Sequence, residues 1–297
     1  GMRVIRPVAI TEAELISSSV PENDYPDYND TTDYALGQSV VYQHVNYECV
    51  QTPNIDHTPD VSPLYWAALG PTNRWLMFDQ EVSSQTEADE SIAATIAPGL
   101  VDSLALLNLT GALVNVRVTD GPGGPELYNH DYPLDGSEVF DWYQYFYQPF
   151  IEIHQVVLTD LPLYGSAHIT ATLTGSGIVK VGSMVAGTAF YLGEMEFGAS
   201  AGIISYSRKD TNTVTGVTKF RKGRNSKRFG GQFELDQFAL NNVFRILADL
   251  DAVPCVWIGT DVVGYEPLTV FGYYRDFSIV ISYPAKDLCS LEIEGLV

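Results

Sequence analysis

Apolar and polar residues alternate with a period of two along several short stretches of the chain. In residues 113–119, Val114, Val116 and Val118 share one face, and residues 168–174 show the same alternation. This period predicts half-buried β-strands. The stretches predicted as strands in this part of the chain are residues 91–96, 103–109, 113–119, 139–147, 150–158 and 168–174. Many short strands with regular turn signals favour an antiparallel β-sandwich of the jelly-roll type.

One stretch near the C-terminal end has a helical period instead. The apolar residues at the spacing of one helix face are Leu240, Val243, Phe244, Leu247 and Leu250. Asp236 is the predicted N-cap, and Pro254 prevents continuation of the helix. Further strands are predicted at residues 255–258, 268–274, 277–283 and 290–296. This pattern predicts an α+β unit in which one main helix lies on an antiparallel sheet.

A small unit with its own pattern precedes the sandwich. Two β-runs, residues 39–42 and 45–50, flank a short turn around His44 and predict a hairpin. A loop rich in Pro and Asp follows and ends at Tyr65 and Trp66. A unit of about 45 residues has little core, so we expect large rings to fill it.

These patterns divide the chain into four predicted parts and a mostly β fold. Residues 1–24 form an N-terminal arm that docks on another subunit, or else an edge strand. Residues 25–72 form the small module, 73–178 the β-sandwich, and 179–297 the α+β domain. The glycine-rich residues 179–206 suit closely packed strands or bulges.

Composition does not alter the predicted fold, but it indicates in which compartment the protein folds. The chain has 297 residues, 45% of them hydrophobic, which is enough for two or three packed domains. Gly1 before Met2 is typical of a residue left by expression. Neither a secretory leader nor an apolar run of ~20 residues is recognisable. We therefore expect a protein that folds in a cytoplasm and does not insert into membranes.

Cysteine and histidine usage gives no sign of a metal or cofactor. The chain has an odd number of cysteines, and they are widely spaced: Cys49, Cys255 and Cys289. We therefore expect buried thiols and folding in a reducing compartment. The five histidines form no metal-binding spacing. We expect no metal site and no cofactor.

Charge is distributed unevenly. Residues 208–228 hold eight of the sixteen Lys and Arg residues and one acid, Asp210, so this window carries +7 while the remainder of the −21 chain carries −28. The acidic remainder repels nucleic acid, which we do not expect as a partner. The window is predicted to be a long hairpin, with strands at 213–221 and 227–235 and a turn at 222–226. This hairpin is expected either to be solvated or to contact an acidic surface of a subunit. The remaining alternative is that it binds an anionic polymer. The candidate subunit contacts are Lys219, Arg221, Lys222, Arg224, Lys227 and Arg228.

Residues 141–148 concentrate aromatic side chains. The rings proposed as a second aromatic patch are Trp142, Tyr143, Tyr145 and Tyr147. Such rings can stack on a sugar. On a central strand they would instead fill a sandwich core or an interface between subunits.

The small module resembles the chitin-type carbohydrate-binding modules of bacterial chitinases. The resemblance rests on Tyr-x-x-Gly-x-x-Val-x-Tyr at residues 34–42, Tyr-x-Cys at 47–49 and the late Trp66. It implies sugar binding by an aromatic set, for which the candidates are Tyr34, Tyr42, Tyr47 and Trp66. Many such modules carry exposed tryptophans after the second tyrosine, whereas this chain has Cys49, Val50 and Gln51.

The amino-acid sequences of several other segments resemble those of tail or virion proteins of tailed bacteriophages and prophages. The segments are residues 73–79, 203–208, 257–259, 271–280 and 289–296. The resemblance implies a structural, non-enzymatic tail protein in the virion, assembled with other subunits or with copies of itself. With the module it implies attachment to a cell-surface polysaccharide. A purely structural role without a glycan ligand is the simpler alternative.

An enzyme that degrades glycans is the third alternative. Residues 198–202 match the G-x-S-x-G pattern of a nucleophile elbow, but no histidine follows His168, so a triad in hydrolase order cannot form. Glycosidases need two carboxylates about 5 Å or about 6.5–9.5 Å apart. Glu138 with Asp141, or Glu194 with Glu196, supply such groups.

Overall fold

The computed structural model describes residues 1–81, 83–137, 141–147, 152–211, 216–236, 238–260, 265–280 and 286–296. The first half contains strands β1 Met2–Pro7, β2 Leu15–Ser18, β3 Ser39–Tyr42, β4 Val45–Cys49, β5 Trp66–Pro71, β6 Thr86–Ile96, β7 Ser103–Leu107, β8 Leu113–Asp120 and β9 Glu126–Pro133, then helix α1 Trp142–Tyr147. The second half contains β10 Gln155–Leu158, β11 Ala167–Val181, β12 Ser183–Met195, β13 Ser200–Ser205, β14 Arg208–Thr211, β15 Thr218–Arg221, β16 Asn225–Asp236, helix α2 Leu240–Asp249, β17 Cys255–Ile258, β18 Thr269–Val280 and β19 Lys286–Gly295. The predicted mostly β, antiparallel class is confirmed.

A β-sandwich occupies the middle of the chain, as predicted. A five-stranded sheet of order β2-β6-β11-β8-β9 faces β10, β7 and β12 of a nine-stranded sheet. Alternate residues such as Val114, Val116 and Val118 point into the shared core, where they meet Leu104 and Leu106 of β7. The period-two pattern therefore identified the buried face correctly.

The nine-stranded sheet closes on itself beyond the sandwich. Its order is β10-β7-β12-β1-β17-β18-β19-β16-β13, and β16 also pairs with β12 through Glu194↔Glu234 and Met195↔Phe233. Strands β12, β1, β17, β18, β19 and β16 thus form a ring, which we call the barrel. Closure leaves these six strands without a free edge along much of their length.

The barrel is filled by apolar side chains and by helix α2. Trp257, Phe229 and Phe233 are fully buried, and Val243 and Leu247 of α2 join the same core. Val243, Leu247 and Leu250 of the predicted stripe are buried, whereas Phe244 is 56% exposed. Asp236 does not cap the helix. Ala239 is the N-cap and makes no side-chain capping bond. Helix α2 and the C-terminal strands, which were predicted together as an α+β unit, thus share the barrel core.

Two glycines allow the barrel strands to approach closely. A Cβ at Gly187 would lie 2.0 Å from the Arg6 carbonyl oxygen. Gly193, with φ +147°, lies where β12 meets β16, and a Cβ there would lie 2.4 Å from the Glu234 carbonyl oxygen. The expectation of closely packed strands in residues 179–206 is confirmed at both positions.

Strand β2, within the predicted N-terminal part, is an edge strand of the five-stranded sheet. The prediction was wrong for β1, which is neither a free arm nor an edge strand. It lies between β12 and β17 in the middle of the sheet, with Val4 opposite both Phe190 and Trp257. The boundary predicted at 178/179 falls inside β11, and β7 and β10 belong to the same sheet as the C-terminal strands. Long-range pairing therefore links segments that the sequence pattern separates.

Other boundaries differ from the prediction in detail. Residues 269–280 form one strand with a bulge between Tyr274 and Asp276, where two strands were predicted, and residues 281–283 lie outside the described part. Strand β9 was missed. All three cysteines are free and buried, as expected, and burial raises the pKa of Cys255 to about 12 and that of Cys289 to about 11.

Candidate functional site

The small module is a three-stranded sheet of β3, β4 and β5 around a core of rings. The predicted hairpin is confirmed, because Ser39 pairs with Glu48 and Tyr42 pairs with Val45. Trp66 begins β5 and is 2% exposed, and its Nε1 donates a hydrogen bond to the His57 carbonyl at 2.7 Å. Short strands with almost no aliphatic core are thus held together by aromatic packing.

Two of the four predicted sugar-binding rings belong to this core. Tyr34 is 7% exposed, and its ring centroid lies 5.1 Å from that of Trp66 in an edge-on arrangement. Neither ring presents a face to solvent, and both fill the core, as expected for the large rings of so small a unit. The physical reason is the size of the module, which needs its largest rings for its own stability.

The segment after the second tyrosine carries no stacking ring. Cys49 is fully buried, and its sulfur accepts a hydrogen bond from Asn54 Nδ2 at 3.2 Å. Val50 is 44% exposed and presents only an aliphatic side chain. Tyr47 is half-buried against the core, and desolvation is the main cause of its raised pKa. The surface used by chitin-type modules is therefore not available in its usual form.

Tyr42 differs from the other rings because it lines an open cleft of about 480 Å³. The cleft lies where the hairpin turn meets the segments before and after the module. The residues lining it are Glu22, Asp27, Tyr28, Val41, Tyr42, Gln43, His44 and Arg74. We refer to it as the Tyr42 cleft.

The turn at the edge of the Tyr42 cleft is strained. Gln43 and His44 have φ values of 48° and 66°, the left-handed region that two-residue hairpin turns require. Glycine and asparagine occupy such positions at lower cost. Backbone strain of this kind clusters at functional sites, and here it directs Gln43 and His44 to the cleft.

A partly buried carboxylate anchors the strained turn. Glu22 contacts His44 Nδ1 at 2.9 Å, accepts a hydrogen bond from Thr72 Oγ1 at 2.7 Å, and lies 3.5 Å from Arg74 Nη1. The His44 ring also packs on Trp75, with centroids 4.7 Å apart. These contacts fix the wall of the cleft before any ligand arrives, which lowers the entropy lost on binding.

Tyr28 contributes a polar atom that the protein leaves without a partner. Its hydroxyl is buried and has no hydrogen-bond partner in the described part of the chain. Its ring meets that of Tyr42 edge-on at 5.6 Å. Burial, followed by the nearby charge of Asp56, raises the pKa of Tyr28, so the hydroxyl remains a donor at neutral pH.

The Tyr42 cleft combines the rings of Tyr28, Tyr42 and His44 with several hydrogen-bonding side chains, a composition suited to a polyhydroxylated ligand. Sequence analysis identified Tyr42 but missed Glu22, Asp27, Gln43 and Arg74. The one available signal was a two-residue turn, Gln43-His44, without the glycine or asparagine that such turns favour.

The second aromatic patch lies on a helix, not on a strand as predicted. Trp142 contacts Phe146 with centroids 6.4 Å apart, and Tyr143 contacts Tyr147 at 4.9 Å. Trp142, Tyr143 and Tyr147 are more than two-thirds exposed. The side chain of Tyr145 lies outside the described part, as do residues 139–140. Pairs four residues apart stabilise a helix, which explains the error.

The basic window does not form the predicted hairpin. Strand β15, with Lys219 and Arg221, pairs with β14, while β16, with Lys227 and Arg228, pairs with β13 and β19. Residues 213–215 of the predicted strand lie outside the described part. Lys222 and Arg224 occupy the intervening loop, and Arg224 Nη1 lies 3.4 Å from Glu81.

A second cleft, of about 470 Å³, lies between the sandwich and the barrel. Lys227, Glu266, His154 and Gln155 line it together with apolar residues of β7 and β18. Partial burial lowers the pKa of Lys227, against the opposing effect of Glu266. Among the described residues, the aromatic side chains that line this cleft are His154 and the nearly buried Phe271.

The carboxylate pairs proposed for a hydrolase are only partly described. Glu138 lies outside the described residues. Glu194 and Glu196 line a shallow cavity of about 360 Å³ with Glu234, and Glu194 accepts a hydrogen bond from the Tyr191 hydroxyl at 2.7 Å. That bond, after burial, raises the pKa of Tyr191 to about 12.

Comparisons with known proteins add no identification. Among the described residues no helix is both long and apolar enough to cross a membrane, and no group of three or more His, Cys, Asp or Glu side chains is arranged to hold a metal ion. No protein-family model, curated protein or solved structure matches the chain.

Proposed function

We propose that the chain is a non-enzymatic structural protein of a phage or prophage tail, and that its small module binds a host-surface glycan in the Tyr42 cleft. The tail setting rests on the resemblance of the long segments described above. The glycan site rests on one observation, the Tyr42 ring beside preformed polar groups in a cleft of about 480 Å³.

The charge of the module favours an uncharged or amine-bearing glycan. Residues 22–72 contain no Lys or Arg, and their acids are Glu22, Asp24, Asp27, Asp30, Asp33, Glu48, Asp56 and Asp60. Anionic polymers such as those rich in phosphate or uronic acid would be repelled by this surface. A polymer of N-acetylated sugars presents amide and hydroxyl groups that Asp27, Gln43 and Arg74 can engage.

The first prediction follows from stacking on Tyr42. Replacing it in Tyr42→Ala should weaken binding to an insoluble N-acetylglucosamine polymer about fivefold, the equivalent of ~1 kcal/mol. Tyr42→Phe keeps the ring and should retain most of the affinity. Binding is measured by depletion of soluble protein over a range of polymer concentrations, with near-ultraviolet circular dichroism as a check of folding.

A matched control lies outside the cleft. Leu69 is 51% exposed on β5 of the same module and does not line the cleft, so Leu69→Ala should bind as the wild type does. Equal binding by Tyr42→Ala and wild type would contradict the glycan site. Absence of binding by wild type to neutral and to amino polymers would leave the purely structural role as the better description.

The hydrolase alternative has its own readout in the same experiment. The cavity with Glu194, Glu196 and Glu234 is the observation that favours it. Shortening of the polymer during incubation, abolished in Glu196→Gln, would support an enzyme. We expect the polymer length to remain constant.

A further inference from the structure

Strands β14 and β15 form a two-stranded ribbon that pairs with no other strand in the described part of the chain. An isolated two-stranded ribbon is marginally stable in water. Phe220 and Val217 on it are 77% and 55% exposed. We refer to residues 208–211 and 216–222 as the ribbon.

The charges of the ribbon are mostly unpaired. Arg221 Nε lies 2.9 Å from Asp210. The remaining cations of the ribbon are exposed, and no ion pair in the described part of the chain involves Arg208, Lys209, Lys219 or Lys222. Lys209 lies opposite Phe220 on one face and Lys219 lies opposite Asp210 on the other, so both faces carry positive charge.

The module presents the opposite combination. Asp30 and Asp56 are exposed and adjacent, since the Asp56 amide donates a hydrogen bond to the Asp30 carbonyl at 3.1 Å. Ile55, the chain neighbour of Asp56, is 49% exposed. We refer to Asp30, Asp33, Ile55 and Asp56 as the acidic face. Its carboxylates form no ion pair among the described residues.

We propose that the ribbon of one copy of this chain docks on the acidic face of a second copy. Opposite charges and exposed apolar side chains occur on both surfaces, so contact neutralises the charges and buries the apolar groups together. The two surfaces are different patches of one chain. Their contact is therefore heterologous, and it generates a ring if the rotation closes and a filament if it does not.

This inference does not depend on the glycan site of the proposed function. The Tyr42 cleft and the acidic face involve different residues of the module, so Tyr42→Ala should leave association unchanged. Loss of glycan binding and loss of association are thus separate results.

Charge exchange between variants tests the contact. Lys209→Glu with Lys219→Glu reverses one cation on each ribbon face, and Asp30→Lys with Asp56→Lys reverses the acidic face. Each double variant should weaken association at least tenfold, whereas an equimolar mixture should restore it, because opposite charges then face each other again. Sedimentation velocity over a range of concentrations at ~0.05 M and ~0.5 M NaCl measures this, and the higher salt should weaken the wild type.

A control with the same charge change lies elsewhere. Arg6 and Arg245 are exposed cations outside the ribbon, and Arg6→Glu with Arg245→Glu should associate as the wild type does. A wild type that stays monomeric at low salt overturns the proposal. Unchanged association of both charge-reversed variants overturns it as well, and so does a mixture that remains dissociated. Circular dichroism confirms that each variant is folded.

Discussion

The small module and the barrel solve the problem of closing a β-structure in different ways. The module has three short strands and depends on the buried rings of Tyr34 and Trp66. The barrel has six strands that return on themselves, and its closure depends on backbone contact at Gly193. A small sheet is thus held by a few large side chains, whereas a closed sheet is held by many, provided that its strands can approach.

The difference also separates stability from function within the module. Because the core takes up Tyr34 and Trp66, the partly exposed Tyr28 and Tyr42 are the tyrosines that line the cleft. In the barrel, the exposed ring of Phe197 lines a shallow cavity of about 360 Å³ among the carboxylates of Glu194, Glu196 and Glu234. The Tyr42 cleft instead offers its rings beside an amide, a carboxylate and a guanidinium group. Ligand binding is therefore expected at the module and mechanical support from the barrel.

The largest expected effect comes from removal of the module's main ring. Trp66→Ala should destabilise the module by roughly 3–5 kcal/mol, because it leaves a cavity in a core that has few other members. Hydrogen exchange followed by mass spectrometry should show loss of protection in residues 24–72 and unchanged protection in the barrel.

Trp142→Ala is the matched control, since Trp142 is 79% exposed and its loss should change stability by less than about 0.5 kcal/mol. If Trp66→Ala unfolded the barrel as well, the two regions would be one cooperative unit and the contrast between them would fail.

A smaller effect is expected at the barrel closure. Gly193→Ala combines an unfavourable positive φ with a clash against the Glu234 carbonyl. The free energy of unfolding of the barrel should therefore fall by roughly 2–4 kcal/mol. Urea unfolding followed by tryptophan fluorescence measures this change.

Gly198→Ala separates the two causes. Gly198 also has a positive φ, +110°, but a Cβ there meets no atom within 4 Å. Gly198→Ala should therefore lower the free energy of unfolding only by the cost of the backbone strain, about 1–2 kcal/mol. Equal losses for both variants would show that close approach at Gly193 does not matter.

The smallest effect concerns the reactivity of the thiols. Burial raises the pKa of Cys255 to about 12 and that of Cys289 to about 11, so at pH 8 both remain protonated while the barrel is folded, and alkylation requires it to open. Cys49 should react first with iodoacetamide, because the module opens at a lower free energy than the barrel.

Peptide mapping by mass spectrometry gives the order of labelling. The raised pKa values also imply that the barrel loses stability as the pH rises from about 9 toward 11 and 12, since only the unfolded chain then releases these protons. Labelling of Cys255 before Cys49 at pH 8 would reverse the proposed ranking of the two regions.

Local patterns of the sequence were sufficient for the elements that depend on neighbours in the chain. The β3–β4 hairpin was predicted because both strands and their turn lie within eleven residues, 39–49. Helix α2 was predicted from its stripe, and Val243 and Leu247 are indeed buried. Both elements are specified by short-range periodicity.

Pairing between distant segments was not predictable in the same way. Strand β1 has the same alternation whether it is an edge strand or a central one, and only its partners near residues 190 and 257 decide. The basic strands 218–221 and 225–236 each had more than one possible partner, and the nearer pairing was chosen wrongly. The Tyr42 cleft was missed for a similar reason, since Glu22 and Arg74 lie outside the motif that identified Tyr42.

The central position of β1 has a consequence for the order of folding. Its partners lie at residues 187–193 and 256–258, so β1 must wait, unpaired, while most of the chain leaves the ribosome. The strands of the module pair within residues 39–71, with one further bridge between Asp27 and Val41, so the module can fold during synthesis. Contacts of high sequence separation form slowly. The barrel is therefore expected to form later than the module, with Met2–Pro7 able to complete it only once residues 256–258 are available.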